Sequence, residues 1–98
     1  MADIDMTAAS AEEPDTDGCF GLGMIYSAGA GVAVDLVQAH KWFNIAAMRG
    51  HSDAARLRRE IAEQMSDSEI GSAQRAARDW LKAHPAPAQP AMMIRVAA

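Results

Sequence analysis

The stretch from Leu22 to Gly50, LGMIYSAGAGVAVDLVQAHKWFNIAAMRG, constrains this chain most, because it sets two apolar helical faces on either side of a glycine-punctuated turn. Cys19, Leu22, Gly23 and Tyr26 recur at helical spacing, as do Ala39, Trp42, Phe43, Ala46 and Ala47. A glycine inside a helix costs up to about 1 kcal/mol relative to alanine, so Gly23 predicts a compensating close approach by the neighbouring helix. Gly29 and Gly31 predict a left-handed helix end followed by a reversing loop, with Asp35 capping the second helix. Val32 and Val34 are expected to dip into the core from that loop. Arg49 and Gly50 suit a helix C-terminus, the first by charge and the second by conformation.

The surrounding sequence extends the helical reading. Alanine and methionine are abundant while valine, isoleucine and aromatics are few, which favours helices packed through small side chains. The fold class is therefore all-α, a short α-solenoid fragment of antiparallel helices at 15–27, 36–48, 53–64 and 67–83. Pro14 starts the first helix, with Asp15 and Asp17 complementing its dipole. Ser52 and Asp53 open the third, which turns Ala54, Leu57, Ile61 and Met65 inward and Arg56, Arg59, Glu60 and Glu63 outward. Ser66 and Glu69 form a capping-box pattern flanked by Met65 and Ile70, so the fourth helix has the sharpest boundary in the chain. It carries Ile70, Ala73, Ala77, Trp80, Leu81 and His84 along one face, and Pro85 prevents its continuation.

Three segments follow from this. Residues 1–13 read as a disordered acidic arm, 14–84 as the helical domain with a C-terminal capping helix, and 85–98 as a Pro/Ala-rich tail ending in AMMIRVAA, expected to fray. With 98 residues in all, the packed part is roughly seventy residues, a thin core for a free-standing domain.

Charge and cysteine content narrow the function classes. The net charge of -4 is uneven, since Asp3, Asp5, Glu12, Glu13, Asp15 and Asp17 precede Gly18 with no compensating base, which leaves the rest near +2. That balance argues against nucleic-acid binding. Cys19 is the single cysteine, which rules out an intramolecular disulfide and, with no activating neighbour, reads as a structural thiol. The segment MADIDMTAASAEEP has acid where a secretory signal carries base, and no apolar run approaches a membrane span, so the expected location is cytoplasmic.

The residues Leu22, Gly23, Tyr26, Gly29, Gly31, Val32, Asp35, Ala39, Trp42, Phe43, Ala46, Ala47 and Gly50 resemble the SEL-one-like repeat, a helix-turn-helix relative of the tetratricopeptide repeat. Its pattern is an LG pair, a tyrosine three residues later, G-x-G-V, an aspartate, then K-A-x-x-W-F/Y-x-x-A-A and a closing glycine. The match spans one repeat. Arg58 and Arg59 stand where the next LG pair would fall, and no second glycine loop follows. Residues 53–83 therefore look like a half repeat and a terminal helix, an arrangement resembling short bacterial members of this family. The resemblance implies a protein-interaction module, an adaptor or accessory subunit of a larger assembly, without catalytic activity or cofactor. Since solenoids need about three repeats to stand alone, it also implies support from the terminal helix, a second copy or a bound partner.

Catalytic and metal readings find no pattern here. His40, His51 and His84 are scattered, and a zinc site needs about four converging ligands. No nucleophile elbow or phosphate loop surrounds the serines. Trp42 and Phe43 read as core, and Trp80, on the terminal helix, as a candidate partner contact. Arg56 and Arg59, within the group Arg49, Arg56, Arg58, Arg59, Arg75 and Arg78, are the remaining candidates, in the alternative reading for an acidic peptide or RNA.

Overall fold

A computed structural model describes residues 13–85. The expectations for the acidic arm and the Pro/Ala-rich tail lie almost wholly outside those residues. Four helices follow in order: α1 Thr16–Ala28, α2 Leu36–Met48, α3 Ala54–Ala62 and α4 Asp67–Ala83. The described residues are all-α, as the periodicity predicts.

Each helix boundary has a chemical cause. Asp15 caps α1, its Oδ1 accepting from the Gly18 N–H at 2.7 Å. Pro14 therefore precedes the cap and is not a first-turn residue, contrary to the sequence expectation. The helix ends at Gly29, φ 71°, whose N–H donates to the Ile25 carbonyl at 2.9 Å. Gly31, at φ 81°, completes the reversal. Asp35 caps α2 by accepting from the Gln38 N–H at 3.1 Å. Its own N–H donates to the Tyr26 carbonyl at 3.0 Å, closing the loop onto α1.

Asp53 makes no side-chain cap for α3. Instead its N–H donates to His51 Nδ1 at 3.2 Å, so the imidazole of the preceding turn takes an N–H near the helix start. The capping box of α4 is complete: Ser66 Oγ accepts from the Glu69 N–H at 3.1 Å, and Glu69 Oε1 accepts from the Ser66 N–H at 2.8 Å.

The centre of the packing is α2, against which α1, α3 and α4 all lie, while α3 and α4 pack chiefly on α2 and little on each other. A fully buried group of Cys19, Ile45, Ala46, Ala54 and Ala77 joins α1 and α4 across α2, with Trp42, Trp80 and Leu81 packed against it. A second group, Ala39, Phe43 and Ile61, meets Phe20, Tyr26, Leu36, Leu57 and Met65 on the α1 and α3 side. Phe43 and Ile45 are the largest fully buried apolar side chains, each stabilising the fold by about 2–3 kcal/mol.

Four side chains are placed differently from the sequence expectation. Ile45 and His40 are buried although they lie off the apolar stripe. The reason is that α2 has neighbours on several sides, so its buried arc is wider than one face. Val32 and Val34 do not enter the core: they are 42% and 58% exposed, because the two left-handed glycines carry the loop outward.

Candidate functional site

The motif residues form the α1–α2 hairpin. Gly23 is buried against Phe43, and Leu22 and Tyr26 are half-buried on α1. Ala39, Phe43 and Ala46 are buried on α2, and Trp42 and Ala47 are half-buried beside them. Gly29 and Gly31 shape the turn, and Gly50, φ 99°, follows α2. All of these side chains serve packing or chain reversal.

Two joints attach the later helices to the hairpin. His51 stacks on Phe20 with ring centroids 4.0 Å apart, and its Nε2 lies 3.8 Å from Asp17 Oδ1, so one imidazole ties the start of α3 to α1. At the other joint Arg49 donates from Nη2 to the His84 carbonyl and lies 5.2 Å over the Trp80 ring. Trp80 in turn stacks on His84 at 4.2 Å and meets Trp42 edge-on at 5.5 Å. The Trp80 ring is thereby half-buried and held on several sides.

The candidate arginines are placed differently from one another. Arg56, exposed on α3, pairs with Glu60 at 3.2 Å and with Asp53 at 3.8 Å. Arg58, at the position where the leucine of a second LG pair would stand, reaches back to α2 and donates to Asn44 Oδ1 at 2.5 Å. Arg59 is exposed and makes no ion pair among the described residues.

The titratable groups inside the fold behave as core groups. Burial pushes the Cys19 thiol above its usual range and outweighs the nearby Arg49 charge, which acts in the opposite direction. Burial likewise holds His40 below the ordinary imidazole value, and the Arg58 charge adds to that. Its Nδ1 finds no hydrogen-bond partner. No group of three or more His, Cys, Asp or Glu among the described residues is arranged to hold a metal ion. No described helix is long and apolar enough to cross a membrane.

Two surface features escaped the sequence reading. Met24, Ile25, Val32 and Val34 are exposed at the C-terminal end of α1 and in the loop after it, 44%, 38%, 42% and 58% accessible. The apolar character of Val32 and Val34 pointed to the core, and Met24 and Ile25 lie outside the helical stripe read from the sequence. Elsewhere, an open groove of about 550 Å³ lies between α2 and α4, lined by Asn44, Met48, Gln74, Arg78, Leu81 and Lys82. A signal for it exists in the sequence, since positions 74, 78, 81 and 82 share one face of α4, but nothing there indicates which helix would lie opposite.

Neither the curated proteins nor the solved structures include one that matches this chain. Residues 16–51, which comprise α1, the glycine loop, α2 and the turn through His51, match the family model of the Sel1 repeat. That segment is somewhat more than a third of the chain's length, and the match is consistent with the Sel1-like repeat family.

Proposed function

We propose that this protein is a non-catalytic interaction module, a small adaptor or accessory subunit, which meets its protein partner through the apolar end of the α1–α2 hairpin. Sel1 repeats mediate protein–protein interaction, which supports the general reading. The observation that carries the specific one is the exposure of Met24, Ile25, Val32 and Val34, which lie in the second half of α1 and in the loop that follows it. Apolar side chains clustered on a surface mark contact sites more often than singly scattered ones do. Arg56 and Arg59 on α3, and Trp80 on α4, lie on other elements and form a second set of candidate contacts. The pairing of Arg56 with Glu60 and Asp53 reduces the charge available to an acidic peptide or nucleic acid, which weakens that alternative.

Affinity capture from the native host, with the full chain and its Val32→Asp/Val34→Asp variant compared by mass spectrometry, tests the proposal. Both positions lie in the loop, so helicity should be unchanged. Loss of a captured protein from the variant supports the hairpin end as the contact. Unchanged capture from it, together with loss from an Arg56→Ala/Arg59→Ala variant and a steep fall with salt, moves the contact to α3.

A further inference from the structure

The α2–α4 groove is basic at one rim and apolar at its floor. Arg78 and Lys82 are exposed, one turn apart on α4, and neither is ion-paired among the described residues, although Asp79 stands between them in sequence. Met48, 66% exposed, and the half-buried Leu81 supply apolar surface. Asn44 and Gln74 add side-chain amides that can pair with a peptide backbone.

The chain itself carries a segment of complementary chemistry. Asp3, Asp5 and Glu12 lie in residues 1–12 with no base among them, and Ile4 and Met6 alternate with the first two acids. That segment joins the described structure just before α1, whose Cys19 is packed in one cluster with Ala77, and Trp80 and Leu81 pack against the same cluster. The arm therefore joins the fold near the cluster that also holds Ala77 of α4. Twelve residues extend to about 40 Å, ample for this reach. The opposite tail, residues 86–98, contains Arg95 and no acid, so its charge does not complement Arg78 and Lys82.

We propose that residues 1–12 of this chain lie in the α2–α4 groove, with Asp3 and Asp5 against Arg78 and Lys82, and with Ile4 and Met6 over Met48 and Leu81. Exposed charge pairs bind weakly between separate molecules, but a covalent tether raises the effective concentration to about the millimolar range. Alternation of acid and apolar side chains lets one face of an extended segment meet the apolar floor while the other meets the basic rim.

The test is paramagnetic relaxation in the full chain carrying a nitroxide at Ala2→Cys. Cys19 is wholly buried, so the introduced thiol takes the label. Amide signals of Met48, Arg78, Leu81 and Lys82 should broaden most, and those of Arg56 and Arg59 least. Broadening should disappear in about 1 M salt, where the screening length is about 3 Å. It should also disappear in Arg78→Gln/Lys82→Gln, both exposed positions, and in Asp3→Asn/Asp5→Asn, which lies outside the helices. Equal broadening on α3 and α4, or broadening that survives both double substitutions, overturns the proposal. So does broadening that appears only when labelled and isotope-enriched chains are mixed, which assigns the groove to the arm of a second copy. The readout is taken on the isolated chain, so it is independent of whether a partner is captured at the hairpin end.

Discussion

A side-chain carbon at Gly23 would lie 2.5 Å from Cδ1 and 2.6 Å from Cε1 of Phe43, so the two helices of the repeat touch where α1 has no Cβ. Phe43 is 1% exposed and stacks at a tilt on Phe20, with centroids 5.6 Å apart, which leaves its ring little room to move aside. Gly23→Ala should therefore destabilise the domain by about 1–2 kcal/mol, since overpacking outweighs the roughly 1 kcal/mol gained in helix propensity. For a domain of this size, thermal unfolding should fall by about 4–8 °C per kcal/mol. Melting at or above the parent temperature would show that the helices can separate at no cost.

The two later helices start with different chemistry, and mutation should separate them. Ser66→Ala removes an acceptor used by the Glu69 N–H and should cost about 1 kcal/mol. Asp53→Ala removes no cap hydrogen bond and only a surface pair with Arg56, so its effect should stay within about 0.5 kcal/mol. Urea unfolding of the two variants side by side measures the difference. Equal losses would contradict the capping assignment.

Stability should fall with acid partly through His40. Its pKa is lowered in the folded chain, chiefly by burial and then by Arg58, so the unfolded chain takes up the proton more readily. The contribution is complete above the unfolded value of about 6.5 and is lost as pH falls through and below it. His40→Leu, which keeps the site apolar, should flatten the decline in urea midpoint between about pH 7.5 and pH 5.5. An identical decline in parent and variant would place the acid sensitivity elsewhere.

Cys19 should be inert in the folded chain. Its side chain is fully buried and burial raises its pKa, so little thiolate exists near neutrality and a reagent has no path to it. Alkylation should proceed only as fast as the domain opens, and should accelerate with denaturant. Reaction at the rate of a free thiol in native buffer would show that α1 does not stay docked.

The four helices and the Sel1 hairpin were legible because local rules govern them. Periodicity places Ala39, Phe43 and Ala46 on the buried side of α2, and the capping pattern at Ser66 locates α4 to the residue. The candidate contacts were less so. Val32 and Val34 have the composition of core residues, and only the path of the loop puts them outside. The sequence LVQAHKWFNIAAM contains one charge, Lys41, and that scarcity is the available sign that α2 is enclosed on more than one side.

By itself the sequence determined the elements: the four helices and most of their ends, that Gly23 needs a close neighbour, and that Leu22 to Gly50 follow the pattern of one repeat. These depend on backbone conformation, capping and spacing within a few residues, which a linear pattern records. The tertiary structure alone decided that α3 and α4 both pack on α2, that Arg49 holds His84 while Trp80 stacks beside it, and that Arg78 and Lys82 border a groove with Met48. Those are contacts between residues far apart in the chain. They depend on how whole faces of alanine and aromatic side chains share volume, and no local spacing encodes that.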